Sequence, residues 1–187
     1  MNSAPEPKQK PFYLIYFGMF FAFVWLDHFL KNLVSSRMQI GEAWPSQDAF
    51  VSIRYTINEG VSFSLFSGHT TALIVLQSAL FIAVAAALFA AYRRGMHAAF
   101  LTGLCWIVSG GAGNLIDRIH LHYVVDFISV GRFPVWNFAD MCIVGGCILV
   151  GVYMLFFYDK HAAAQDAEAV EGEAGEEGLE EEEAADG

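Results

Sequence analysis

Charge is scarce in this chain until its C-terminal end. The 187 residues carry a formal net charge of −10, yet twelve of the acidic residues and one lysine lie from Asp159 onward, which leaves residues 1–158 near +1. An acidic surface is therefore excluded for the first 158 residues. Cysteine is scarce too: Cys105, Cys142 and Cys147 all sit inside apolar runs. An odd number of thiols with none in a polar loop argues against a disulfide framework or a zinc site and is expected to be a set of small buried hydrophobes. No His-x-x-x-His pair occurs, no Ser lies beside a His with an acidic partner in the loops, and no internal repeat stands out. Nucleophilic serine catalysis thus lacks its signature.

What is abundant is apolar surface. The chain is 56% hydrophobic and 15% aromatic, with a mean hydropathy of +0.44, too apolar for an ordinary soluble domain. Four long runs account for it: Phe12 to about Val34, about His69–Tyr92, about Met96–Ile116 and about Val135–Tyr158. Each reaches the roughly 20 residues that a helix needs to cross the hydrocarbon core. The first is too long for a signal-peptide core and lacks a small-x-small cleavage site, so it reads as a retained helix. Arg93-Arg94-Gly95 joins the second and third as an antiparallel hairpin. Four crossings put both termini on one side. Lys8, Lys10, Arg93, Arg94 and Lys160 flank that side, against Arg37, Arg54, Arg118 and Arg132 opposite, which favours cytoplasmic termini.

The loops opposite the termini, residues 35–68 and 117–134, carry a strand period. Val51, Ile53, Tyr55 and Ile57 alternate with Ser52, Arg54 and Thr56; Asn58-Glu59-Gly60 reads as a turn before a second apolar stretch, Val61–Phe66. Ile119–Val130 is also strand-like. The expected fold is an α-helical membrane protein: four transmembrane helices with a small β-sheet on the outer face. Residues 12–158 form one domain, preceded by a polar leader over residues 1–11 and followed by an acidic tail over residues 159–187, too poor in apolar side chains to order itself.

Ionisable residues at membrane depth are costly and mark functional sites. Asp126 and Asp140 are the foremost. Asn137 and Asp140 are three apart and share a helix face, and Pro134 suits the first turn of that helix, which places Asp140 roughly 9 Å below its start. Asn114, Asp117 and Arg118 cluster at the end of helix three, where an Asp117–Arg118 pair is one reading. Asp27 and Lys31 stand at i and i+4 on helix one, a charge pair within the bundle. Two carboxyl groups a few ångströms apart share a proton near neutral pH. The ionised one can take a proton from water while the neutral one hydrogen-bonds a carbonyl under attack, with neither metal nor covalent intermediate. A proton- or ion-coupled transporter is an alternative use of such residues, and His120, His122, Asp117 and Asp126 form an alternative metal-ligand set.

Several segments together resemble the lipoprotein signal peptidase family, also called signal peptidase II. They are Gly113-Asn114-Leu115-Ile116-Asp117-Arg118, Val125-Asp126-Phe127, Asn137-Phe138-Ala139-Asp140, Asn58-Glu59-Gly60-Val61-Ser62-Phe63-Ser64, and Asp27 with Lys31. The resemblance spans about Phe12–Phe157. It implies a multi-pass aspartyl endopeptidase of the cell inner membrane, active near the periplasmic face beneath a β-cradle. Such an enzyme removes the signal peptide from prolipoproteins, cutting before a diacylglyceryl-modified Cys. By motif match Asp126 and Asp140 are the catalytic pair. Asn114, Arg118 and Asn137 hold substrate or dyad, Asn58 overlies the site, and Asp27, Lys31 and Asp117 are supporting polar residues. Where the family usually has Gln and Ser on helix one this chain has His28 and Leu30, and Trp136 replaces the family's Phe. The implied partners are prolipoproteins and membrane lipids; no metal, cofactor or nucleic acid is expected, and a monomer is.

Overall fold

A computed structural model describes residues 12–60 and 70–158. The leader, the Val61–Phe66 stretch, His69 and the acidic tail lie outside the described residues. The described residues form four helices and three strands: α1 Phe12–Arg37, β1 Ala43–Trp44, β2 Val51–Asn58, α2 Thr70–Arg93, α3 Ala98–Leu121, β3 Val124–Val130 and α4 Phe138–Phe156. All four helices are long and apolar enough to cross a membrane, as the four runs predict. The strands form one antiparallel sheet in the order β1-β2-β3.

The helices differ in what they face. α3 is largely buried and α1 and α2 are almost wholly exposed along their spans, so α3 is the centre of the bundle. The outward face of α1 carries Phe17, Phe21, Trp25 and Phe29, an apolar surface suited to lipid. Against α4, α3 comes so close that side chains are excluded. A Cβ on Gly110 would fall onto the Ala139 carbonyl, and one on Gly146 would lie 2.5 Å from the Gly103 carbonyl oxygen. Small residues at such crossings let backbones approach within the hydrocarbon.

The α2–α3 hairpin forms as expected, through Gly95 at φ 65° and an N-cap in which His97 Nδ1 accepts from the Ala99 amide at 3.2 Å. Two helix boundaries differ from the sequence expectation. α3 continues to Leu121 and stops where His122 adopts a left-handed conformation, φ 67°, with its amide on the Arg118 carbonyl. His120 is therefore helical and does not share a strand face with His122. α4 begins only at Phe138, because residues ahead of it are extended: Trp136 exchanges backbone hydrogen bonds with Ile128, 2.7 and 3.0 Å. Pro134 is thus not in the first helical turn. β2 forms where the strand was predicted, but its burial does not follow the alternation: Val51 is exposed and Ser52 buried, and the register against β3 shifts between Ile53 and Thr56, with Thr56 opposite Asp126 and Asn58 opposite Val124. β1 was not apparent in the sequence.

Candidate active site

The extended 134–136 segment, zipped to β3, delivers Asn137 directly beside Asp126. Asn137 is the N-cap of α4 and is wholly buried. Its side-chain oxygen accepts from the Asp140 amide at 3.0 Å, and the Asp140 carboxylate accepts from the Asn137 amide at 3.2 Å, a reciprocal capping box. Asp140 is therefore the third residue of α4, at the helix mouth, and not two turns below it. Negative charge is favoured there by the unpaired amides of the first turn.

Three side-chain amides hold the two carboxylates. Asn137 Nδ2 donates to Asp126 Oδ1 at 2.7 Å, and Asn58 Nδ2 donates to Asp126 Oδ2 at 2.9 Å from the end of β2. Asn114 Nδ2, from α3, donates to Asp140 Oδ1 at 2.8 Å. Asn114 and Asn137 are themselves joined, Nδ2 of Asn137 to Oδ1 of Asn114 at 3.0 Å. Four elements thus converge on one pair of acids. Burial pushes the Asp126 carboxyl up to about 6; the neighbouring Asp140 charge adds to this, while hydrogen bonds from Asn58 and Asn137 oppose it.

Beneath the amides lies an ion cluster. Lys31 Nζ reaches Asp27 Oδ2 at 2.7 Å, Asp117 Oδ2 at 2.9 Å and Asn114 Oδ1 at 3.1 Å. Asp27 Oδ1 accepts from the Ala139 amide at 2.9 Å, so α1 holds the first turn of α4. A Cβ on Gly113 would lie 2.6 Å from Asp27 Oδ2, which is why the helix surface must be bare there. Asp117 also receives the Val125 amide at 3.4 Å, next to Asp126.

Arg118 does not pair with Asp117, its neighbour in sequence, since successive helical residues point in different directions. It donates instead to Gln77 Oε1 at 2.9 Å and to the Gly60 carbonyl at 2.8 Å. Gln77 was missed by the sequence reading. It also donates to the Gly111 carbonyl at 3.3 Å, and the available signal was a lone amide inside the apolar α2 run. The His120, His122, Asp117, Asp126 set does not converge: His120 Nδ1 lies 2.9 Å from the Ile116 carbonyl oxygen, and no group of three metal-binding side chains occurs among the described residues.

Both carboxylates line a groove of about 1060 Å³ between α2, α3, α4 and the sheet. Its floor is polar, with Asn58, Asn114, Arg118, Asp126 and Asp140. Its walls are apolar, with Leu76, Leu80, Phe81 and Val84 from α2 opposite Ile143 and Val144 from α4. The arrangement can hold an extended or helical apolar chain with one polar bond laid against two acids.

Comparison with known proteins agrees with the fold. The family model described as signal peptidase (SPase) II matches residues 19–156. A lipoprotein signal peptidase from Dehalococcoides mccartyi is 34% identical over 83% of this chain and 96% of its own length. One from Fusobacterium nucleatum is 34% identical over 79% of this chain and 90% of its own. A solved bacterial membrane enzyme, determined by the in meso method at 2.3 Å, superposes with a TM-score of 0.67 at 25% identity, covering 75% of this chain and 87% of that one.

Proposed function

From the premise that this chain belongs to the signal peptidase II family, we propose that Asp126 and Asp140 are its catalytic dyad. The protein is a multi-pass membrane protease that removes signal peptides from prolipoproteins. The observation that carries the dyad is the convergence of a buried carboxylate, Asp126, and a half-buried one, Asp140, both hydrogen-bonded by amides, on one apolar groove.

In the proposed reaction the dyad holds one proton. Asp126, whose buried carboxyl is raised to about 6, retains it more readily than an ordinary aspartate and hydrogen-bonds the scissile carbonyl. Asp140 accepts a proton from the attacking water. The water oxygen bonds to the carbonyl carbon, giving a tetrahedral intermediate. Its collapse expels the amine, which receives the proton held by Asp140. Asn114 and Asn137 fix both acids, so little reorganisation accompanies the charge movement. The ion cluster around Lys31 anchors Asn114 in turn. Arg118 and Asn58 border the groove where the polar backbone of a bound peptide would lie.

The apolar groove walls fit a signal-peptide helix and the acyl chains of a diacylglyceryl-modified Cys, with cleavage just before that residue. Entry is sideways from the lipid, since withdrawing acyl chains from the bilayer costs about 0.8 kcal/mol per CH₂. The termini are cytoplasmic and the sheet and groove face the periplasm. The enzyme acts as a monomer in contact with membrane lipids.

The test is cleavage of a diacylglyceryl-modified prolipoprotein, followed by gel shift, with purified wild type, Asp126→Asn and Asp140→Asn in detergent plus chelator. Wild-type cleavage with both variants folded and inactive is the expected result. Cleavage by either variant, or abolition by chelator, overturns the dyad.

A further inference from the structure

Behind the dyad lies a second cavity, separate from the groove. It measures about 390 Å³ and is bounded by α1, the end of α3 and the sheet, with His28, Lys31, Tyr55, Asp117, His120 and Tyr123 on its walls. It opens at the surface, where Asn32, Ser35 and His120 are exposed. Lys31 and Asp117 line this cavity alone, whereas Asn114, Asp126 and Asp140 line only the groove. The wall between the two is the buried ion cluster itself.

A continuous polar chain crosses that wall. His28 Nδ1 lies 3.5 Å from Asp117 Oδ1, a contact that is an ion pair only when the imidazole is protonated. Asp117 Oδ2 is 2.9 Å from Lys31 Nζ, which donates to Asn114 Oδ1 at 3.1 Å, and Asn114 Nδ2 donates to Asp140 Oδ1 at 2.8 Å. A branch runs from Asp117 through the Val125 amide to the residue beside Asp126. Asp117, Lys31 and Asn114 are buried and Asp140 is half-buried at the groove; at the other end His28 has about a quarter of its side chain exposed, with its Nε2 buried and unpartnered.

The charge arrangement gives that position leverage. Asp27 and Asp117 share the single cation Lys31, which leaves one carboxylate uncompensated unless His28 is charged. The groups facing His28 are Asp27 and Lys31 on its own helix, Asp117 and His120 on α3, Tyr55 on β2 and Tyr123 ahead of β3. An imidazolium would satisfy Asp117 Oδ1, steady Lys31 against Asn114, and place a positive charge on the side of the cluster away from the groove.

We propose that His28 is a positioning residue for the dyad, acting from the second cavity through Asp117, Lys31 and Asn114. The proposal rests on the aspartyl dyad, which it deepens. A positive charge on His28 favours the ionised form of the dyad, so it extends activity to lower pH.

The experiment is the pH profile of kcat and KM on a diacylglyceryl-modified prolipoprotein peptide in detergent, for wild type, His28→Gln, His28→Ala and His120→Gln. Gln can donate toward Asp117 but carries no charge. His28→Gln is expected to move the acid limb of the kcat profile up by about 0.5 pH unit, with KM unaltered. His28→Ala is expected to lower kcat by about tenfold, with imidazole added to the buffer restoring part of it through the open cavity. A His28→Gln profile that overlays wild type, or a shift produced by His120→Gln instead, overturns the proposal. So does a folded His28→Ala variant whose loss imidazole leaves untouched. Cleavage by Asp126→Asn, measured alongside, would instead bring down the dyad on which the proposal rests.

Discussion

Asp126→Asn should change not only activity but the way stability depends on pH. Burial raises the Asp126 carboxyl from an ordinary 3.8 to about 6. A group whose pKa is raised in the folded state contributes its full stability below its unfolded value, and that stability is lost as pH rises through the folded value. At 1.36 kcal/mol per pKa unit, ionising Asp126 costs the folded protein about 3 kcal/mol once the pH is well above 6. Asparagine does not titrate. It does, however, set its NH₂ against one of the two donors, Asn58 or Asn137, while its oxygen still accepts from the other, a pH-independent loss of roughly 1–3 kcal/mol. The two effects nearly cancel at neutral pH, so the slope is what discriminates. Thermal unfolding in detergent from pH 4 to pH 8 should show the variant gaining on wild type by about 2.4 kcal/mol between pH 4 and pH 7, then levelling. For a chain of this size that is about 5–10 °C in Tm. A constant difference across the range would refute the burial argument, and a difference falling with pH would mean that the site holds Asp126 ionised.

Four further outcomes follow from the same contacts. Asp140→Asn should keep the fold, because Asn can still accept from the Asn137 amide, and lower kcat by about 10³ or more in the gel-shift assay. Lys31→Met leaves Asp27 and Asp117 buried without their cation and should destabilise the protein by about 3–5 kcal/mol in denaturant unfolding, with partial recovery when Asp27→Asn is added. Gly110→Ala should lower both Tm and cleavage, since its Cβ meets the Ala139 backbone at the first turn of α4; Gly111→Ala, which meets nothing within 4 Å, should leave both near wild type. Arg118→Lys cannot serve Gln77 and the Gly60 carbonyl together and should raise KM by about tenfold, more than it lowers kcat, in steady-state kinetics on a lipidated peptide.

The four helices were legible because length and hydropathy alone specify a membrane crossing, and β2 because its alternating β-branched and aromatic run marks a strand, although a register shift between Ile53 and Thr56 changes which of its residues are buried. The residues of the site were legible because each is a polar group where the run around it is apolar. Their mutual geometry was not. Pro134 suggested a helix start, yet Trp136 is drawn into a backbone pairing with Ile128 that no local preference reveals, and this moves Asp140 to the helix mouth. Asp117 and Arg118 adjoin in sequence and diverge in space, one to Lys31 and one to Gln77. β1 was invisible because two residues carry no period, and its pairing with Arg54 and Ile53 is set by the strand beside it.

The charges of the interior bear on why the proposed dyad would keep a proton. Three buried carboxylates, Asp27, Asp117 and Asp126, and the half-buried Asp140 gather with two buried cations, Lys31 and Arg118. Lys31 is already committed to Asp27 and Asp117. Arg118 spends its donors on Gln77 and the Gly60 carbonyl, so it forms no ion pair with either member of the dyad. The side-chain hydrogen bonds of Asp126 and Asp140 therefore come from amides, with Arg118 and Lys31 acting on them only through space, and amides compensate a carboxylate's charge less fully than a paired cation would. Had Lys31 reached Asp126 directly, the carboxyl would stay ionised and could not donate to a carbonyl under attack. The lysine is held one asparagine away: near enough to fix Asn114, and far enough to leave the proton in place.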